Sequence, residues 1–501
     1  MFRYISAGLA VAVGIGSMVY AQEPLIDSSA APAAPAAQTV QVKQEQAPAQ
    51  VKQVAPAPEA KSSDEQLADL KGKVDGLDES YAETKSTVAG LSKIKISGYV
   101  QAQYKSALTP SAAKDSTGKY KYNVGDFAGG TLPSNVGGMF QVRRGRVKIV
   151  YDNGVEQAAV QLDCTPSSVG IKEAWAGLKD PWIKTIGIRA GVIDRPIGFE
   201  PVLSSGSRES PEESRMIQTL LPDDYDLGAN LEILPSEKTS ALLQYFTGRI
   251  GVFTGNGIAN ETDNNLDVIG RLGFSVPFND INFSIDGGVS GYSGSVTNTD
   301  SVGSGAKLPM ASRGFSYSTI NDSMVKSSGG DYGKTFTRQY TDVDLQLYFG
   351  NVPVIGGLTL RGEYIQGKQP GSASSSKSSN ATSVTANLPV YERNFMGYYA
   401  EWIQNFDPLN SQFILKYDIY DPNTDVSGTD IKKAKGFSAA DVKFSTLGIG
   451  WSYFWSANVK LTAYWDLVHN EKTDPSIASN GVQYSTDLMD NVFTLRMQYK
   501  F

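Results

Sequence analysis

One cysteine, Cys164, and one histidine, His469, are all that 501 residues hold of either type. A lone thiol excludes an internal disulfide and leaves no pair for a metal knuckle. A lone imidazole leaves little room for histidine chemistry, and no Gly-x-Ser-x-Gly elbow marks a nucleophile. No catalytic residue, metal site or cofactor is therefore assigned, and an enzyme is not expected. A basic excess is also missing. Lys and Arg number 45 against 52 Asp and Glu, for a formal charge of -7, which is not the footprint of a nucleic-acid binder. Long apolar runs are absent beyond the first 21 residues, so no helix is expected to cross a membrane.

The first 21 residues, MFRYISAGLAVAVGIGSMVYA, carry one basic residue, Arg3, then an apolar run that ends at the small-x-small pattern Val19-Tyr20-Ala21. This predicts an export signal over 1–21, the run being short of the ~20 residues a spanning helix needs. Residues 22–62 are rich in Ala, Pro and Gln and poor in core-forming side chains, which predicts a disordered or partly extended linker. From Ser63 to residue 92, Leu67, Leu70, Val74, Leu77, Tyr81, Thr84, Val88 and Leu91 recur at alternating steps of three and four, a heptad seam. Gly72, Gly76 and Gly90 each weaken a lone helix by ~1 kcal/mol. Two readings stand: a short coiled coil that holds several copies together, or one amphipathic helix lying on the rest of the chain.

From residue 93 to 501 the period is two. Sixteen alternating segments are expected: 95–105, 139–151, 155–163, 170–178, 185–192, 227–234, 240–248, 266–275, 281–290, 340–349, 357–366, 396–404, 411–420, 444–453, 457–468 and 491–501. Long and short connections alternate with one exception, at 164–169. The short ones carry turn chemistry such as Asp152-Asn153-Gly154 and Asp407-Pro408-Leu409-Asn410. Within 445–455, Leu447, Ile449, Trp451, Tyr453 and Trp455 share one face; within 457–468, Lys460, Thr462, Tyr464 and Asp466 share the polar one. An even-numbered meander with all long loops at one end, apolar outward and polar inward, predicts an all-β fold: a sixteen-stranded antiparallel transmembrane β-barrel in the lipid of a bacterial outer membrane. DNVFTLRMQYKF would then be the closing strand.

The terminal Phe501 on such a strand is a general mark of outer-membrane porins, and the resemblance implies that it is read as a signal by the barrel-assembly machinery. FQVRRGRVKI (140–149), IKEAWAGL (171–178), AGVIDRPIGFE (190–200) and LLPDDYDLGANLE (220–232) resemble the phosphate-selective porin family of the O and P type. The likeness covers 95–501 and implies a trimeric channel, narrowed by its third long loop, that passes small hydrophilic solutes or anions such as phosphate. In this sequence that loop is 193–226. A basic track is expected from Arg144, Arg146 and Lys148, joined by Arg189, Arg271, Arg361, Lys416, Lys460, Arg496 and Lys500. Ten inward carboxylates balance these ten cations: Asp163, Glu232, Asp267, Asp286, Asp342, Asp344, Glu363, Glu401, Asp418 and Asp466. The loop candidates Arg195, Arg208 and Arg215 face eight carboxylates, Glu209, Glu212 and Glu213 among them. The arginines either line a track for anions or pair with these carboxylates to stiffen the wall. A rival to the channel is a structural or adhesive barrel whose lumen is plugged and whose loops bind outside partners.

Overall fold

A computed structural model describes residues 63–107, 118–119, 126–130, 132–133, 135–222, 224–235, 239, 243–261, 264–297, 316–327, 334–352, 355–377, 390–479, 482–488 and 490–501. The expected export signal, 1–21, and linker, 22–62, lie outside these. The chain divides into two units, and Ser63–Leu91, in the first, forms the helix α1. Leu67, Leu70, Val74, Leu77, Tyr81, Val88 and Leu91 are all exposed along it.

The larger unit is built mainly of strands. In chain order it contains β1 (Ile94–Ala107), β2 (Gly138–Asp152), β3 (Glu156–Thr165), β4 (Ser168–Lys179), β5 (Ile186–Asp194), β6 (Tyr225–Ile233), β7 (Phe246–Phe253), β8 (Asp267–Phe278), β9 (Phe283–Thr297), β10 (Ser316–Ile320), β11 (Ser323–Lys326), β12 (Thr335–Val352), β13 (Gly356–Gly371), β14 (Val390–Phe406), β15 (Ser411–Asp421), β16 (Phe444–Phe454), β17 (Val459–Asn470), β18 (Ala478–Ser479), β19 (Val482–Gln483) and β20 (Val492–Lys500). Sixteen of them, all but β10, β11, β18 and β19, form the antiparallel wall. It closes where β1 pairs with β20, from Tyr99 opposite Lys500 to Ala107 opposite Val492. Closure pairs the backbone groups of both end strands, the condition for a sheet to exist in lipid. Phe501 extends this seam: its amide donates to the Gly98 carbonyl (2.9 Å) and its carbonyl accepts from the Gly98 amide (3.0 Å).

The short connections are built as their sequences predict. Phe278 and Phe406 each lead into one 3-10 turn that ends in a left-handed asparagine, Asn282 (φ 48°) and Asn410 (φ 46°), a conformation asparagine adopts more readily than most residues. At the β4–β5 turn, Asp180 accepts backbone amides from Ile183 (2.7 Å), Lys184 (3.1 Å), Thr185 (2.7 Å) and Ile186 (2.9 Å). Partial loss of hydration opposes its charge, but these amides outweigh that and hold the carboxyl down to about 2.

Alternation places the apolar set outward. Trp182, Trp402, Trp451, Trp455 and Trp465 are exposed, five of the six tryptophans. Rings gather at the short-turn end: Phe278 against Phe283 (5.7 Å), Phe283 against Phe349 (4.9 Å), Phe406 against Trp451 (5.4 Å) and Tyr499 against Phe501 (6.3 Å). Such a girdle belongs at a membrane–water boundary. Among the described residues no helix is long and apolar enough to cross a membrane; the crossing elements are strands.

Two details differ from expectation. The seventh strand runs over Phe246–Phe253 and not 240–248, because Leu243–Tyr245 forms a 3-10 turn that starts the alternation later. Residues 291–339, expected as one loop after β9, instead prolong β9 to Thr297, begin β12 at Thr335, and supply the β10/β11 hairpin, which joins β14 in parallel at Ser316 opposite Val390.

Candidate permeation site

The chain between β5 and β6, residues 195–224, folds into the barrel and is fastened to the lumen-facing side chains of strands on several sides. Its entry rests on Gly198, whose φ of 64° is left-handed and whose Cβ position lies against Glu363. Glycine there turns three successive amides toward the wall. Gly198 donates to Ser290 Oγ (3.0 Å), and Phe199 and Glu200 donate to Glu363 Oε2 (3.1 and 2.9 Å). The Glu200 carboxylate then pairs with Lys416 of β15. Further along, Ser205 meets Tyr99 (2.6 Å) and Arg146 (3.1 Å), the Gly206 carbonyl accepts from Gln498 (2.8 Å), and the Arg208 carbonyl accepts from Lys460 (2.9 Å).

Glu212 is the most heavily held residue of the loop. Arg143 donates to both its oxygens (3.0 and 2.9 Å), Arg144 reaches Oε2 at 2.8 Å, and Arg496 reaches Oε1 at 2.6 Å. Burial opposes ionisation, but Arg144, Arg143 and Arg496 outweigh it and hold the Glu212 carboxyl well below the usual carboxylate range. Arg496 also donates to the Pro211 carbonyl (2.5 Å) and to Gln103 of β1 (2.8 Å), so β2 and β20 meet on one loop carboxylate and Arg496 ties β1 to the same place.

Arg143 was not expected inside. Strict alternation assigns it to the outer face, yet β2 changes phase at Arg143-Arg144. Phe140 and Val142 are exposed before this point, Val147 and Ile149 after it. Even positions face outward first and odd positions later, so two adjacent arginines share the lumen. A phase slip of this kind re-aims a side chain at a functional place. The signal available in the sequence was the charge itself, since an arginine on the lipid face of a strand is costly.

The other expected residues of the basic track are found in the lumen, most of them paired. Arg146 binds Asp163 (3.1 Å) and Lys148 binds Glu173 (2.8 Å). Arg189 joins Asp194 and Glu232, Arg361 joins Glu401 (2.7 Å) and the loop's Glu209, and Arg271 joins Asp344. Lys500 is half-buried at the short-turn end of β20. Of the loop candidates, Arg208 pairs with Glu213 and Arg195 with Asp226 (3.0 Å), while Arg215 lies over the rings of Phe127 (4.2 Å) and Phe444 (4.0 Å). The sequence reading missed Arg249, which binds Asp194 (2.7 Å) and Glu232 (2.9 Å), because the expected seventh strand ended one residue short of it.

The lumen is not uniformly wet. The short helix α2 (Arg215–Leu220) buries Met216, Ile217 and Leu220 against Phe253, Ile269, Tyr292, Tyr340, Ile365, Phe395, Tyr399 and Tyr420 of the wall. These inward aromatics break the expectation of a polar interior. They are inside because the loop gives them an apolar partner, and burying such side chains is favourable by ~1.5–3 kcal/mol each. Beside this core, between the loop and β15–β17, remains a small cavity of about 40 Å³, bordered by Glu212, Glu213, Arg215, Lys416, Asp418, Thr446, Gly448, Tyr464, Asp466 and Asp490. Tyr464 lies flat over Gly448, where a Cβ would collide with its hydroxyl, so the glycine is what lets the ring hug the wall.

No protein-family model and no curated protein sequence matches the chain. Among solved structures, an anion-selective porin from Comamonas acidovorans is 11 % identical, with a TM-score of 0.44 over 81 % of this chain and 99 % of that one. The high-pH structure of Pseudomonas putida OprB is 11 % identical, with a TM-score of 0.48 over 84 % and 97 %. The outer-membrane channel DcaP of Acinetobacter baumannii is 11 % identical, with a TM-score of 0.45 over 81 % and 97 %.

Proposed function

We propose that the chain is a bacterial outer-membrane porin: a passive, non-enzymatic conduit through which small hydrophilic solutes diffuse down their gradients. The observation that carries this reading is the inward loop 195–224, pinned to the wall by ion pairs yet leaving a polar cavity between itself and β15–β17. The conduit is narrow, because α2 and its apolar partners occupy part of the lumen. Reconstituted in planar bilayers, the protein is expected to give discrete single-channel steps of low conductance. Complete absence of current would favour the rival reading, a plugged structural or adhesive barrel, for which the apolar cluster inside the lumen is the specific supporting observation.

An anion preference such as phosphate selectivity gains no support from the basic track, because Arg144, Arg146 and Lys148 each face a carboxylate at 2.8–3.1 Å. The chain is taken to assemble as a homotrimer; association of copies is supported by the apolar seam of α1, exposed from Leu67 to Leu91, since an exposed heptad seam is buried when helices associate. Detergent-solubilised full-length protein is expected to sediment as three copies. Leu70→Asp with Leu77→Asp is expected to weaken that assembly, and an unchanged mass would remove the helix from this role.

A further inference from the structure

The cavity beside β15–β17 is bordered by seven acidic or basic side chains, and three of them are already engaged. Glu212 is held by three arginines, Glu213 by Arg208, and Lys416 by Glu200. What remains is three carboxylates, Asp418, Asp466 and Asp490, against one guanidinium, Arg215, which is itself stacked between Phe127 and Phe444. The balance in this space is therefore acidic although the lumen as a whole is nearly neutral.

A second observation concerns hydrogen bonding. Asp418 and Asp490 are each only 7 % exposed, yet Oδ1 of each has no hydrogen-bond partner. A buried carboxylate oxygen left without a donor is unfavourable, and both belong to residues that border the cavity. The missing partners are N–H donors, preferably charged. The carboxylates are spread around the space and do not converge: among the described residues no group of three acidic, histidine or cysteine side chains is placed to hold a metal ion. That arrangement suits a planar or extended organic cation better than a chelated one.

We propose that this cavity is a cation subsite of the conduit, taking small guanidinium or alkylammonium ions between Asp418, Asp466 and Asp490, and that it biases permeation toward cations. The inference rests on the channel reading and gives it a solute class. Burial pushes the Asp490 carboxyl up to about 6, with Arg215 opposing, so it is still mostly ionised at neutral pH. Low-dielectric walls around a cluster of one sign concentrate the opposite ion, by tenfold or more.

The test uses full-length protein in planar bilayers under a gradient of guanidinium chloride. The expected reversal potential has the sign of a cation-preferring pore, with guanidinium roughly tenfold more permeant than chloride. In the variant D418N/D466N/D490N most of that preference is lost. Chloride preference in the natural protein, or an unchanged ratio in the variant, overturns the subsite. Folding of the triple variant is checked by its heat-dependent gel mobility. If it does not fold, D490N, which lies outside the strands, carries the same measurement. If the natural protein passes no current, the channel reading falls on its own. Calorimetric titration of solubilised protein with guanidinium then judges the site: saturable heat lost in D490N supports it, and no saturable heat overturns it.

Discussion

Glu212→Gln is expected to enlarge the single-channel step and to destabilise the barrel together. The substitution keeps shape but removes the one negative charge shared by Arg143, Arg144 and Arg496. Three guanidinium groups, those of Arg144 and Arg496 buried and that of Arg143 partly exposed, are then left close together without their shared counter-charge. Breaking a buried pair by removing one partner costs about 3–5 kcal/mol, and here three cations lose the same partner. The loop should loosen where β1, β2 and β20 hold it, while its second anchor at Glu200 and Lys416 persists. Thermal unfolding and bilayer conductance measured on the same preparation check both parts. A destabilised variant with unchanged conductance would separate Glu212 from the constriction. The pH dependence has a defined sign. Because the Glu212 carboxyl is depressed in the folded protein, its stabilisation is complete above the ordinary glutamate value of about 4.3. It is lost only as pH falls through the lower folded value. Conductance of the natural protein is therefore expected to hold from neutral pH down to about 5 as far as this anchor governs it.

Leu272→Arg is expected to prevent or severely weaken insertion. Leu272 is at the middle of β8, 74 % exposed, and sits in register with Val289 of β9, which is 56 % exposed. Both point into the apolar band. An arginine near the bilayer midplane on the outer face of a barrel costs about 2–4 kcal/mol. The neighbouring residue supplies the internal control: Arg271 is already an arginine, is 5 % exposed, and pairs with Asp344 of β12 on the lumen side of the wall. That pair lies along one stretch of wall, β8 and β12 both flanking β9, so one step along the strand converts a destabilising charge into a satisfied one. Folding yield into vesicles, scored by heat-dependent gel mobility, should fall sharply for Leu272→Arg and little for Leu272→Val. Normal yield for the arginine variant would mean that this face does not meet lipid.

Much of the wall could be read from the chain without coordinates, and the exceptions are instructive. The closing strand, the tight turns at Asn282 and Asn410, and the faces of β16 and β17 follow from a period of two and from residues that tolerate left-handed backbone. Arg143 escaped because the phase set by Arg144, Arg146 and Lys148 is reversed ahead of the slip, and nothing in VRRGR says where the slip falls. Arg249 escaped because Leu243-Gln244-Tyr245 also reads as strand, which moved the expected end of the element past its true start. The loop 193–226 was identified as the inward candidate only through a resemblance. Its charge, three arginines against eight carboxylates, gave no indication of which groups would meet the wall.

The amino-acid order alone determined that sixteen segments alternate, that their apolar faces share one side, and that long and short connections also alternate. Those properties are local: the pleat sends neighbouring side chains to opposite faces whatever lies elsewhere. Tertiary structure decided what fills the lumen and which charges remain uncompensated there. Glu212 meets Arg496 across 284 residues and Glu200 meets Lys416 across 216. Tyr340 and Phe395 become core only because α2 is laid against them. Such pairings depend on how the closed sheet curves around the loop, a geometry that no period in the chain encodes.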